Sequence, residues 1–173
     1  MKYTLGIDYS STSTGLVLLD GQGKISTSTC IKPEGSIFDD RILDLWDSIN
    51  SWFEELVMFE KIKSVNELDF IGIESPAFHS KGKVVDLAAG YGFIKYSLLN
   101  YGYRVMSVTP SEVKKFATGK GNATKDDMIE ATPDDDYEKL LSSNEYGFDG
   151  IEDLVDAYWV AKLVYTRAKN AGY

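Results

Sequence analysis

The sequence predicts an α/β fold: a five-stranded mixed sheet, three antiparallel strands and then two parallel ones, flanked by helices. Three observations carry that expectation. The first 31 residues hold three short apolar runs separated by polar turns, two later apolar runs are set off by stretches of helical period, and the chain closes on one more stretch of that period. With 173 residues and 43% hydrophobic content, one domain over residues 1–173 can bury roughly two-thirds of its unfolded surface.

Residues 3–8 form an apolar run that ends in Asp8, followed by the polar turn Ser10-Ser11-Thr12-Ser13-Thr14-Gly15. Residues 15–20 read as the second strand, and Gly21-Gln22-Gly23 as the hairpin connection into a third over 24–31. Ser36 is placed to cap a helix whose apolar positions Phe38, Ile42, Leu45, Trp46, Ile49, Phe53 and Leu56 recur at three and four residues. Its aromatics read as core. Residues 68–74 form a fourth strand, ended by Glu74 in the manner of Asp8 and stopped by Ser75-Pro76.

After the loop 77–83, a helix is predicted over 84–99. Its Ala88, Ala89, Gly90 and Gly92 permit close approach of another backbone, as at a subunit interface. A fifth strand, 104–108, leads to Thr109-Pro110, and Pro110 suits the first turn of a helix carrying Val113, Lys114, Lys115 and Phe116. Thr124 caps a short helix starting at Lys125. The acidic stretch 133–150 lacks sustained periodicity and reads as a loop or mobile segment. From Ile151, the positions Leu154, Val155, Tyr158, Trp159, Ala161, Lys162 and Tyr165 make the closing helix.

The net charge is −9, and residues 133–150 carry −5 of it, six acids against Lys139. Bases gather at Lys81 and Lys83, at Lys114, Lys115, Lys120 and Lys125, and at Lys162, Arg167 and Lys169. Any one of these lysines is first of all a solvated surface charge. The single Cys30 excludes an intrachain disulfide framework and reads as buried packing. No window approaches the ~18 apolar residues of a membrane span, and no signal-length apolar stretch opens the chain, so an intracellular, soluble protein is expected.

Asp disfavours strand interiors, so one placed where a core strand meets a polar turn suggests a site on a rigid scaffold. Asp153 and Asp156 stand three apart on the closing helix and share a face, while Glu152 points elsewhere. If that face meets the ends of the strands bearing Asp8 and Glu74, four carboxylates converge, which is costly without a cation. All-oxygen ligation suits Mg²⁺, with Mn²⁺ as a substitute, and two ions about 4 Å apart could serve phosphodiester hydrolysis. Taken singly, Asp8 fits a turn acceptor, Glu74 a lysine partner, and Asp153 and Asp156 a solvated helix face. It is the combination that points to a metal site. His79, in the loop after Glu74, is better read as a hydrogen-bonding residue, and Gly119-Lys120-Gly121 lacks the spacing of a P-loop.

Four segments, Gly6-Ile7-Asp8 with Ser10 and Thr14-Gly15, Ile73-Glu74, Val113-Lys114 through Thr124-Lys125, and Asp153-Leu154-Val155-Asp156-Ala157, resemble the RuvC-type Holliday junction resolvases of the ribonuclease-H-like superfamily. The resemblance implies that Asp8, Glu74, Asp153 and Asp156 hold two Mg²⁺ ions and that Lys114 and Lys125 are the functional lysines, one meeting the scissile phosphate. It places Phe78, offset by one residue, as the aromatic that stacks near the junction centre. Apart from the resemblance, the clustered bases Lys81, Lys83, Lys115 and Lys120 are expected as further DNA contacts, Lys120 in Gly119-Lys120-Gly121 touching the backbone at most. The resemblance implies a homodimer that nicks branched DNA symmetrically, without a nucleotide cofactor or membrane. A cytoplasmic location is expected, and since small divergent members are typical of phages, it would be the host-cell cytoplasm if the protein is phage-encoded. The family's usual Gly after the first aspartate motif is replaced by Ser10 or Ser11, and the acidic 133–150 stretch lies outside its pattern. The alternative is a module that binds branched DNA without cutting it; four acids at its centre would repel phosphate to no purpose. A sugar-kinase or actin-like ATPase needs two such domains, more than 173 residues provide.

Overall fold

The computed structural model describes residues 1–76 and 84–173. Its strands are β1 (Tyr3–Asp8), β2 (Thr14–Asp20), β3 (Ile25–Ile31), β4 (Leu68–Glu74) and β5 (Val105–Val108). They make one sheet in the order β3-β2-β1-β4-β5. β1 and β3 run antiparallel to β2, whereas β4 runs parallel to β1 and to β5. The helices are α1 (Phe38–Met58), α2 (Val84–Asn100), α3 (Pro110–Thr118), α4 (Lys125–Ala131), α5 (Asp134–Ser143) and α6 (Ile151–Asn170). The mixed five-stranded sheet is therefore the one expected.

Local chemistry sets the element ends. In the β2–β3 hairpin the Asp20 carboxylate accepts the Gln22 and Lys24 amides at 2.9 Å each, so Lys24 belongs to the turn and β3 begins at Ile25. α3 and α4 each start with a capping box, Thr109 with Glu112 and Thr124 with Asp127. Ser36 does not cap α1. The N-cap is Ile37, without a side-chain bond, and the chain entering the helix is held instead by Asp44, which accepts the Glu34 amide at 2.8 Å.

Strand alternation sorts the sheet into two faces. Leu5, Ile7, Leu16, Leu18, Ile71 and Ile73 bury against α1 and α2, with Ile42, Leu45, Ile49, Ile94 and Leu98 opposite. Val17, Leu19 and Phe70 face α6, which brings Leu154, Val155, Tyr158, Val160 and Val164. Full burial of such a side chain contributes roughly 1.5–3 kcal/mol. Period-two alternation puts Asp8 on the same face as Gly6, and Glu74 on that of Phe70, so both strand-terminal acids look toward α6.

Residues 133–150 are not a featureless loop, because Asp134–Ser143 is helical. Asp134, Asp135 and Asp136 fill its first turn, where the macrodipole favours anions, and Leu140 is buried with Tyr137 and Leu141 against the α6 cluster. The Tyr158 hydroxyl donates to Asp136 at 2.7 Å, and Ser143 bonds Ser28 on the edge strand β3. Cys30 is buried, as expected. Among the described residues, no helix is long and apolar enough to cross a membrane.

Candidate active site

β1 and β4 are parallel neighbours in register at Ile7 and Ile73, so Asp8 and Glu74 leave the sheet at the same end. α6 delivers the other two acids there by packing backbone against backbone. A Cβ on Gly6 would stand 2.1 Å from the Ala157 carbonyl oxygen, and one on Gly15, the cross-strand partner of Asp8, 2.1 Å from that of Asp153. Only glycine admits the helix so closely.

The four carboxylates share one electrostatic environment. Burial and the charges of Glu74, Asp156 and Asp153 hold Asp8 well above the usual carboxylate range. Burial and Asp156 push Glu74 up to about 7, and burial with Asp153 pushes Asp156 up to about 6; Lys125 and Lys114 oppose both shifts. Asp153 is raised by burial, against a hydrogen bond from Ser13 and the charge of Lys125.

Lys114 and Lys125 are brought to this cluster on α3 and α4, which are pinned to α6. Arg167 donates to Glu112 at 2.7 Å, and the Trp159 indole donates to Thr132 at 3.0 Å. Burial alone would lower the Lys125 pKa, but Glu152, Asp156 and Asp153 raise it. Its ammonium pairs with Glu152 at 2.7 Å. Lys115 and Lys120 are exposed, and among the described residues no hydrogen bond or salt bridge ties them to the four acids. Phe78, His79, Lys81 and Lys83 lie outside the described residues.

Three residues beside the acids carried no role in the sequence reading. Ser13 bonds Asp153, Glu152 holds Lys125, and Tyr9 buries its hydroxyl against Gly90 of α2 without a hydrogen-bond partner among the described residues. Only Ser13 had a signal, its place in the polar turn after Asp8. A cleft of about 200 Å³ opens beside the acids, lined by Asp8, Tyr9, Glu74, Ser75, Pro76, Leu87 and Pro110. A larger one, about 500 Å³, lies between β3, α1 and the segment after α5, and touches none of them.

None of the four acids forms a salt bridge among the described residues. Half-buried carboxylates with raised pKa values and oxygen-only donors fit hard divalent cations. Among the described residues, no three His, Cys, Asp or Glu side chains close on one point at ligand spacing. Mutually repelling carboxylates gain nothing by closing without a cation between them, so holding one here would require side-chain rotation.

A family model described as crossover junction endodeoxyribonuclease RuvC matches residues 4–131. That span includes Asp8, Glu74, Lys114 and Lys125 and ends before α6, so Asp153 and Asp156 join the site through the packing of that helix. A crossover junction endodeoxyribonuclease RuvC from Corynebacterium diphtheriae is 30% identical over 132 residues, 72% of this chain and 74% of the relative. One from Synechococcus is 24% identical over 135 residues, 73% and 79% of the two chains. The Thermus thermophilus RuvC structure superposes with a TM-score of 0.63 at 16% identity, covering 97% of this chain and 96% of that one. T. thermophilus RuvC in complex with Holliday junction substrate gives 0.65 at 14%, over 98% and 96%. These neighbours show the ribonuclease-H-like fold, and with the sequence match along most of its length the chain belongs to the RuvC family of crossover junction endodeoxyribonucleases.

Proposed function

We propose that residues 1–173 act as one nuclease domain, a divalent-cation-dependent endonuclease that resolves four-way DNA junctions, and other branched DNA, by paired symmetric nicks. The observation that carries this reading is the meeting of Asp8, Glu74, Asp153 and Asp156 at two adjacent strand ends and one helix, with Lys125 acting on all four and Lys114 on Glu74 and Asp156. The four carboxylates would hold two Mg²⁺ or Mn²⁺ ions, which supply the charge that activates water and stabilises a leaving oxygen in phosphodiester hydrolysis. Lys114 and Lys125 meet phosphate charge. Phe78, Lys81, Lys83, Lys115 and Lys120 remain proposed DNA contacts.

A two-fold junction calls for a two-fold enzyme. The outer face of α2 supports a homodimer: Val85, Tyr96 and Leu99 are 79%, 71% and 47% exposed. Ala88, Ala89 and Gly92 are open beside them, but Gly90 is occupied by Tyr9 and is not part of that face.

The test is a labelled mobile junction incubated with Mg²⁺, Mn²⁺ or chelator, and nick positions mapped on all four strands. Wild-type protein should leave paired nicks with either ion and none in chelator, whereas Asp8→Asn should bind the junction and not cut it. Metal-dependent cutting by that variant would overturn the assignment. Wild-type binding without cutting under every condition would favour the non-cleaving module.

A further inference from the structure

α6 begins differently from α3 and α4. In those helices the acid at the third position reaches back to its N-cap and is consumed by the capping box. The N-cap of α6 is Gly150, which has no side chain to complete a box, so Asp153 at the third position owes nothing to its own helix end. Its Oδ2 instead accepts a hydrogen bond from the Ser13 hydroxyl, in the turn that follows Asp8. Ser13 is itself held from behind, since the buried Cys30 Sγ lies 3.3 Å from its Oγ. A thiol is a weak donor and suits the lone pair that Ser13 leaves open. Cys30 also sits under Gly150, where a Cβ would stand 2.8 Å from the sulfur, so the start of α6 and the hydroxyl share one support.

We propose that Ser13 is a positioning residue for Asp153, fixing one carboxylate oxygen through the chain Cys30–Ser13–Asp153 so that the other is presented to a divalent cation. The inference rests on the metal-site reading above. A carboxylate on its own rotates freely, and ordering it at the moment of binding costs affinity. A hydrogen bond made beforehand removes part of that cost, and loss of such an outer partner typically weakens metal binding ~10–100-fold.

Isosteric replacements isolate the hydroxyl. Full-length wild type, Ser13→Thr, Ser13→Val and Asp153→Asn are titrated with Mn²⁺ by calorimetry, alongside apo melting temperature and junction binding in chelator. Ser13→Thr should bind Mn²⁺ close to the wild-type affinity, and Ser13→Val ~10–100-fold more weakly, with melting temperature and chelator-phase junction binding little changed. Equal Mn²⁺ affinities for the Thr and Val variants would overturn the proposal. If Ser13→Val does not fold, Ser13→Ala takes its place with the same expected loss, and wild-type affinity in that variant is equally fatal. Absence of Mn²⁺ binding by wild type, or undiminished binding by Asp153→Asn, would instead remove the metal-site reading and the Ser13 role with it.

Discussion

Gly15 and Asp153 meet backbone to backbone: a methyl group on Gly15 would stand 2.1 Å from the Asp153 carbonyl oxygen. The neighbour is a helix backbone, which cannot swing aside as a flexible side chain would. Gly15→Ala should therefore push the first turn of α6 away from β2 and carry Asp153 and Asp156 off the strand ends. Overpacking of this kind costs about 1–3 kcal/mol. Displacement of reacting groups by ~1 Å costs on the order of 100-fold in rate. Urea unfolding and single-turnover junction cleavage would read the two effects. A Gly15→Ala protein with wild-type stability and cleavage would contradict the close contact.

Burial of the acids, reinforced by their mutual repulsion, should make the stability of the metal-free protein fall with rising pH. The folded protein holds protons on Asp8, Glu74, Asp156 and Asp153 more tightly than the unfolded chain, because all four are raised. Their contribution is fully present below the ordinary carboxylate value and is lost as pH rises through the folded values, about 6 and about 7 for Asp156 and Glu74. The melting temperature in chelator should drop between pH 5 and pH 8, and Asp8→Asn should blunt the drop. Mn²⁺ should raise the melting temperature more at pH 8 than at pH 5, since ligation requires the ionised form. A flat or rising chelator-phase profile would sink this expectation.

The pattern of strand-terminal acids, the Asp153/Asp156 spacing, the helix start at Pro110 and the Thr124 cap were legible because each is written within a few residues, whereas the Thr109 capping box went unread. α5 was not, since its only fully buried side chain is Leu140 and its reason for folding is non-local, a cover for β3 and a partner for Tyr158. Nor could Ser36 be separated from Ile37 as the N-cap of α1, because Asp44 takes over the holding of that entry. Convergence itself was an inference from facing directions. What realises it is the pair of glycines, Gly6 and Gly15, whose closeness to α6 no local pattern announces.

Glu112 should give the opposite pH signature. The Thr109 amide, the Arg167 guanidinium and the Thr109 hydroxyl hold its carboxyl down at about 2. Its contribution is present above the ordinary value of 4.5 and is lost as pH falls toward 2. Glu112→Gln can keep the capping geometry but not the charge, so its acid unfolding limb should be shallower than that of wild type. At neutral pH the cost should stay within ~1 kcal/mol, because the pair with Arg167 is exposed and screened. Acid titrations followed by circular dichroism would decide it, and superimposable limbs would count against the role of this pair.

Lys125 and Glu152 should move the pH dependence of cleavage in opposite directions. Lys125 lowers the pKa of Asp8, Glu74, Asp153 and Asp156, whereas Glu152 raises Asp153 and Asp156. Removing the cation in Lys125→Ala lets the acids climb, so the acidic limb of the pH–rate profile should shift to higher pH. Glu152→Gln deletes a like charge and also releases the Lys125 ammonium from its 2.7 Å partner toward the cluster, so both consequences shift that limb to lower pH. The pair is about half exposed on each side, so neither change should alter stability by more than ~1 kcal/mol, and a profile shift is then not a folding defect. Single-turnover rates on one junction at fixed Mn²⁺ would test this. Shifts of the same sign in the two variants would mean that Glu152 and Lys125 act on the site as a unit rather than as opposing charges.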